Sequence, residues 1–266
     1  MNTTKIWEIM KKEWGEVFKN KIVLFAVAFM PILFTVLPLY ILYSTQGGGD
    51  IAQAFSAAEE MPSEFAAVCG SLTGSDCTQF FLVSQFIILF LMMPIIIPVT
   101  IASYSIVGEK TTRTLEPLLA TPLTTLELLA GKAFAAVTPA LVVTWLSYIV
   151  FMVGTSIIAS TAVFLTLLEP VWLLAIFGLG PLLSVAGVSI AVMISSRVND
   201  PRIAEQLSSL VVLPLLALFM GQSFGLVTVN ETVIIWIALI LLVLDAGMLY
   251  FATQLFQRET ILTRWK

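Results

Sequence analysis

The residue types that carry most covalent and metal chemistry are scarce in this chain. It has no histidine and only two cysteines, Cys69 and Cys77, so the usual nitrogen and sulfur ligands of a zinc or haem site are almost absent. The sequence also lacks a G-x-x-x-x-G-K-[ST] phosphate-binding loop and any Ser/His or Cys/His pair. These absences argue against a metalloenzyme and against ATP hydrolysis by this chain.

Asp245 is the one charged residue that falls well inside a long apolar stretch. A charge at the centre of a membrane span costs roughly 2.5 to 3.5 kcal/mol on insertion scales, so such residues usually face the bundle interior and often serve function. We predict that Asp245 belongs to the substrate pathway, as a cation or proton site or as a polar contact that moves between inward and outward states. The alternative is a protonated or hydrogen-bonded Asp that only locks two helices together.

The amino-acid composition indicates that membrane-spanning helices form most of this chain. Of the 266 residues, 59% are hydrophobic and 11% are charged, and the mean hydropathy is +1.00, which is far too apolar for a soluble domain. A spanning helix needs roughly 20 apolar residues. Six stretches qualify, and they predict an all-α integral membrane protein with spans at about 22 to 43, 80 to 107, 130 to 158, 171 to 196, 207 to 226 and 232 to 256.

The basic residues fix the predicted orientation. With the amino terminus in the cytoplasm, all 13 Lys and Arg lie inside or at an inner helix end, as the positive-inside rule requires. This arrangement predicts a multi-pass plasma-membrane protein with both termini cytoplasmic, an external loop at 44–79, a cytoplasmic loop at 108–129 and a cytoplasmic tail at 257–266. The amino terminus has no small-residue cleavage site, so we expect it to be retained. The net charge of −4 gives no indication of nucleic-acid binding.

The predicted external loop is acidic and contains both cysteines. An oxidising exterior favours a Cys69–Cys77 disulfide, which would stabilise the loop by roughly 2 to 3 kcal/mol in the chain-entropy model. The alternative is two unpaired thiols.

Residues 1–21 form a predicted amphipathic helix. Apolar residues recur at three- and four-residue spacing, and charged residues fall on the opposite side. Trp and Lys beside the apolar face are typical of a helix that lies flat at the inner membrane interface. Its role is either functional or limited to anchoring the chain. The apolar residues are Ile6, Trp7, Met10, Trp14, Val17 and Phe18, and the charged ones are Glu8, Lys11, Lys12, Glu16 and Lys19.

The loop between the second and third predicted spans has a second pattern. Leu115, Leu118 and Leu119 share one face of a short helix, which should end near Thr121 because the next residue is Pro122. Thr124 and Glu127 have the spacing of a capping box for the following helix. On these features alone the loop is either a helix that transmits a push from a soluble partner or an ordinary connector at the membrane surface.

The string E-K-T-T-R-T-L-E-P-L-L-A-T-P-L-T-T-L-E-L-L-A-G-K at 109–132 closely resembles the signature of permease subunits of ABC-2-type transporters. Those permeases share an acidic residue, a T-L-E-x-L-L-x-T-P core and a downstream E-L-x-x-G-K. The amino-terminal amphipathic helix and six spans fit the family as well, so the resemblance covers essentially the whole chain. Pro117 stands where family members often carry other residues, and it would shorten the loop helix by part of a turn.

The resemblance implies a half-transporter in which two permeases pair and each docks a separate cytoplasmic ATP-binding subunit. ATP and Mg would be bound by that partner, and this chain would hold no cofactor. The family's coupling helix maps onto roughly residues 111–121. The residues expected to couple the permease to the ATPase are Glu109, Lys110, Thr111, Thr114, Leu115, Glu116, Leu118, Leu119, Thr121, Pro122 and Glu127.

The resulting hypothesis is an exporter permease that works as a dimer, either of two identical chains or of this chain and a similar one. Two alternatives remain at this stage. One is an ATP-independent channel or cation-coupled carrier that uses Asp245. The other is a membrane scaffold that recruits a complex through the amino-terminal helix and the 108–129 loop.

Overall fold

The computed structural model describes residues 3–46, 75–112 and 124–255. The regular structure within these ranges is helical. A π-helical segment, Leu174–Leu179, and a 3-10 turn, Leu210–Val212, each join two α-helices. The α-helices are α1 (Thr3–Lys19), α2 (Lys21–Gln46), α3 (Ser75–Thr111), α4 (Thr125–Ile158), α5 (Thr161–Thr166), α6 (Pro170–Leu173), α7 (Gly180–Ser195), α8 (Pro201–Ser209), α9 (Leu213–Ser223) and α10 (Glu231–Leu255).

Six stretches of the described residues are long and apolar enough to cross a membrane, which confirms the predicted all-α integral membrane fold. The second span extends beyond the predicted 80 to 107 at both ends, and the fifth begins six residues before the predicted 207. The spans are Val23–Thr45, Asp76–Thr111, Leu126–Ile158, Pro170–Ser195, Pro201–Ser223 and Glu231–Ala252.

Helix α3, the second span, is the central helix of the fold. Most of its side chains are buried, whereas spans one, five and six expose large apolar side chains along much of their length. Aromatic rings join α3 to its neighbours: Phe90 lies 5.1 Å from Phe151 and 6.1 Å from Trp172 between ring centroids. Tyr148 stacks on Trp172 at 5.8 Å. These buried contacts hold spans two, three and four together.

Gly187 lets α7 approach α3 closely. A Cβ at this position would lie 3.0 Å from the backbone oxygen of Ile95. Because the contact is to backbone and not to the end of a side chain, rotation of a side chain could not relieve it. Small residues at such contacts are typical of helix packing in membranes, where backbone proximity replaces the hydrophobic effect. The π-helical turns of the fourth span come just before Pro181. Proline has no N–H to donate, and its ring crowds the preceding helical turn, so a wider turn is expected at this point.

Local capping fixes where two of the helices begin and end. The predicted capping box is confirmed at α4: the Thr124 hydroxyl accepts from Glu127 N, and the Glu127 carboxylate accepts from Thr124 N. At the other end of the bundle, α9 ends in a Schellman motif. Gly225 has φ of 72°, and Leu226 N donates to Gly221 O. A positive φ is the conformation that glycine adopts without strain.

Candidate functional site

Helix α1 packs against α4 and α3 at one end of the bundle. Ile6 and Ile9 are buried there, and the Trp14 indole donates to Ala135 O at 2.9 Å. Contact is close because residue 131 is a glycine: a Cβ on Gly131 would lie 2.7 Å from Ile9 Cγ2. The amino-terminal helix is therefore an integral part of the packed structure.

A charged cluster lies beneath this contact and consists of Lys12, Glu13, Ser105, Glu109 and Lys132. Lys132 is at its centre. Its ammonium is 2.7 Å from Glu13 Oε1, 2.8 Å from Glu109 Oε2 and 2.7 Å from Ser105 Oγ. An ammonium has three N–H donors; Lys132 donates to Glu13 and Ser105 and forms an ion pair with Glu109.

The remaining contacts close the charged cluster. Ser105 Oγ donates to Glu13 Oε2 at 2.5 Å, and Lys12 donates to Glu109 Oε1 at 2.6 Å. Glu13, Glu109 and Lys132 are each no more than 5% exposed. Among the described residues of the charged cluster, two carboxylates therefore face two ammonium groups, and these charges balance, as burial requires.

Lys12 differs from Lys132 because it lies at the surface, with 40% of its side chain exposed against 4% for Lys132. Partial burial lowers its pKa. The hydrogen bond to Glu109 and the carboxylates of Glu109, Glu16 and Glu13 outweigh this effect, so the pKa of Lys12 lies above its ordinary value. Lys12 remains charged and holds the outer edge of the charged cluster.

Three carboxylates, those of Glu13, Glu16 and Glu109, have oxygens within 4.8 Å of one another, which is close enough for a divalent cation. Lys132 and Lys12 already lie within hydrogen-bonding distance of Glu13 and Glu109. Side-chain ammonium groups thus supply the positive charge that a metal would otherwise bring. A cavity of about 360 Å³ adjoins the charged cluster and is lined by all three carboxylates together with Asn20 and Tyr104.

Both ends of the segment 113–123 are attached to this region. On the carboxyl side, Glu127 lies 3.9 Å from Lys5 of α1. On the amino side, Glu109 belongs to the charged cluster, and Lys110 donates to Ser196 O and to Val198 O at 3.3 Å each. Lys110 therefore binds the carbonyls at the end of α7, where a cation also complements the helix dipole.

The structure brings together part of the predicted coupling set. Glu109, Lys110 and Glu127 lie in the contacts above, and Thr111 is the last residue of α3. The other seven predicted residues lie outside the described ranges, so their placement remains a prediction. They are Thr114, Leu115, Glu116, Leu118, Leu119, Thr121 and Pro122.

Asp245 is buried, with 5% of its surface exposed, and neither carboxylate oxygen has a hydrogen-bond partner among the described residues. It lines neither the cavity beside the charged cluster nor the one described below. A role in the substrate pathway thus remains a prediction. Cys77 is buried in the first turn of α3, and Cys69 lies outside the described ranges, so the disulfide also remains a prediction.

Sequence reasoning missed Glu13, Ser105 and Lys132 as site residues. Signals in the sequence point to two of them, Glu13 and Lys132. Glu13 is seven residues after Ile6 and four after Ile9, on the stripe of α1 that is buried, and Lys132 is a charge inside the inner end of a span. By contrast, Trp7 and Phe18 of the predicted apolar face are 46% and 65% exposed, which leaves them available to a lipid surface.

The comparison with protein families then decides the class of protein. The model of the ABC-2 family transporter proteins matches residues 7–260, from the second turn of α1 to beyond the last described span. The chain belongs to the ABC-2 transporter family. No curated protein sequence matches this permease. Membership makes the chain a membrane transport subunit of the kind that associates with an ATP-binding subunit, and it confirms the resemblance read from the 109–132 string.

Proposed function

We propose that this permease is the membrane-spanning half of an ATP-driven exporter. In this proposal two copies, or this chain and a similar one, form the pathway between them, and each docks a separate cytoplasmic subunit that binds ATP and Mg²⁺. The family match supports a transport role. ATP coupling, pairing and export direction are the inferred parts.

The observation that carries the proposal is the attachment of segment 113–123 at both ends to α1. Glu109 precedes the segment and is held by Lys12 and Lys132, and Glu127 follows it and lies near Lys5. A displacement of the segment by a partner would therefore act on α1, α3 and α4 together. Separating the buried pairs that Lys132 forms with Glu13 and Glu109 would be costly, so the three helices would move as a unit.

The distribution of positive charge supports a cytoplasmic position for this region. The described Lys and Arg residues lie on α1, at the start of α2, α4 and α8, or at the end of α3 and α7. Because successive spans alternate in direction, these ends belong to one side of the bundle. The positive-inside rule favours the cytoplasm for that side, which is where an ATPase would be met, and it favours cytoplasmic termini in a plasma-membrane protein.

Co-purification from native membranes tests the partner. Under conditions that preserve membrane complexes, a P-loop ATPase should accompany the permease, and its absence would contradict the proposal. A scaffold would bring a partner but give no flux, and candidate cargo would not stimulate ATP hydrolysis.

Charge reversal at Glu116 tests the coupling segment. In vesicles that contain permease and ATPase, Glu116→Arg should reduce transport per ATP hydrolysed while membrane insertion continues. Glu8→Arg is the matched control, since Glu8 is exposed on α1 and pairs with Lys11 only three residues away. Unchanged coupling in Glu116→Arg, or equal loss in both variants, would refute the role of Glu116.

A second candidate, a cation-coupled carrier, draws support from Asp245. Its buried carboxylate without a hydrogen-bond partner among the described residues is the kind of group that binds protons or cations within spans. This candidate predicts flux in liposomes that contain no ATPase, driven by an ion gradient and lost in Asp245→Asn. Gradient-driven flux that persists in Asp245→Asn, or flux that requires the ATPase, would count against it.

A further inference from the structure

A second cavity lies at the opposite end of the bundle from the charged cluster. Its volume is about 220 Å³, somewhat below the roughly 300 to 1,000 Å³ of pockets for drug-sized ligands. Phe80 and Ser84 of α3 line it, whereas Glu109 lies 29 residues beyond Phe80 on the same helix, or about 44 Å at the standard helical rise. We call it the distal cavity. Its lining residues are Phe80, Val83, Ser84, Ile87, Thr166, Glu169, Val171, Trp172, Gln222, Thr228, Val229 and Asn230.

The floor of the distal cavity contains a buried acceptor without a partner. Gln222 is 2% exposed, and its Nε2 donates to Ser84 O at 3.0 Å. That bond fixes the orientation of the amide, because only the NH₂ group can donate to a carbonyl. Gln222 Oε1 is then an acceptor with no hydrogen-bond partner among the described residues. A buried amide oxygen of this kind costs free energy until a donor reaches it.

The rim of the distal cavity carries a carboxylate. Glu169 is exposed there, beside the exposed Thr228 and Asn230. Burial raises the pKa of Glu169, and the nearby carboxylate of Glu231 raises it further. The lining contains no Lys or Arg, and the described basic residues lie near the other end of the bundle. The local field therefore favours a cation over an anion.

The walls between rim and floor are apolar. Val83, Ile87 and Trp172 are buried and line the cavity. A hard metal ion would need about six oxygen ligands, whereas this lining offers one carboxylate and a few neutral oxygens. The cavity therefore suits a ligand with three parts. A positive charge at one end would meet the rim, an apolar middle would meet the walls, and a hydrogen-bond donor at the other end would meet the floor.

We propose that the distal cavity binds a small organic ammonium that carries a second hydrogen-bond donor, with Glu169 as the partner of the ammonium and Gln222 Oε1 as the partner of the donor. Binding requires neither an ATPase nor a second copy of the chain, so this proposal is independent of the proposed function. Tyramine is a suitable probe because its ammonium and phenol lie at the two ends of an apolar ring.

Equilibrium dialysis of radiolabelled tyramine against the purified full-length chain in detergent tests the site, with protein-free micelles as the blank. Saturable binding is expected, and Glu169→Gln should weaken it about 10- to 150-fold, the usual effect of a lost charge-assisted hydrogen bond. Glu231→Gln is the matched control, since it removes a carboxylate near Glu169 that does not line the cavity. Its effect should stay below about fivefold.

Competition by two analogues separates the ends of the ligand. Phenethylammonium lacks the phenol and should bind about three- to tenfold more weakly than tyramine, the usual effect of one unpaired neutral acceptor. In Gln222→Met the two amines should bind alike, and continued binding of phenethylammonium would show that this variant folds. 4-Ethylphenol lacks the charge and should compete poorly. The absence of saturable binding, equal effects of the Glu169 and Glu231 variants, or strong competition by 4-ethylphenol would overturn the proposal.

Discussion

Lys132→Met is the most informative perturbation of the charged cluster. Methionine fills similar space but removes all three donors, so Glu13 and Glu109 both lose their contact with the ammonium of Lys132, while Glu13 keeps Ser105 and Glu109 keeps Lys12. The buried carboxylate of Glu13 then has no ammonium group beside it among the described residues. Breaking a buried pair from one side costs about 3 to 5 kcal/mol, and we expect that loss in the free energy of unfolding. It is a large fraction of the stability of most proteins.

Lys12→Met is the matched control, because both lysines pair with Glu109 but Lys12 lies at the surface. Lys12 is partly exposed, so water can replace some of its contact with Glu109, which also keeps Lys132; Lys12→Met should therefore cost less than Lys132→Met. The assay is reversible unfolding in mixed detergent–SDS micelles, monitored by tryptophan fluorescence.

The double variant Glu13→Gln/Lys132→Met completes the test. Removing one carboxylate with one ammonium restores neutrality, so the double variant should be more stable than the sum of the single losses predicts, by about 1 to 3 kcal/mol. Equal losses for the two lysine variants would refute the inference that burial makes Lys132 the centre of the cluster. Additive losses for Glu13 and Lys132 would refute their direct pairing.

Two pairs of glycine positions give further predictions. Gly131→Ala should destabilise the chain by about 1 to 3 kcal/mol, because its Cβ would meet Ile9. Gly15→Ala, on α1 with no atom within 4 Å of the added Cβ, should be neutral or stabilise by up to about 1 kcal/mol. Gly225→Ala should cost about 1 to 2 kcal/mol at its positive φ, whereas Gly247→Ala in α10 has open space and should not destabilise. The same unfolding assay measures all four, and a Gly15 or Gly247 variant as unstable as its counterpart would contradict the packing or backbone argument.

The sequence was sufficient to predict those features of the fold that depend on local chemistry. The six spans follow from continuous apolar stretches, since each backbone polar group in a membrane must be satisfied within its own helix. The capping box at Thr124 and Glu127 involves residues three positions apart, so its pattern was visible in the sequence. These features needed no knowledge of how the helices pack.

The two candidate sites depend on packing and were not predictable in the same way. Lys132 and Glu13 are 119 residues apart in sequence, and nothing local indicates that the inner ends of α1 and α4 touch. Glu13 has the spacing of the buried stripe of α1, but that spacing does not indicate which residue of another helix it pairs with. The distal cavity takes Gln222 and Glu169 from different spans and loops, and neither residue has a distinctive sequence context.

The length of α3 has a mechanical consequence. Its 37 residues extend about 55 Å, so a rigid tilt of about 5° about its midpoint would move its two ends by about 2.4 Å in opposite directions. The charged cluster lies near one end and the distal cavity near the other, so α3 can act as a lever between them. Pro94 and Pro98 stand close to the fulcrum, and bending there would let the two arms move independently. Spin-label distances from each end of α3 to a fixed neighbour would show whether the arms move together or apart.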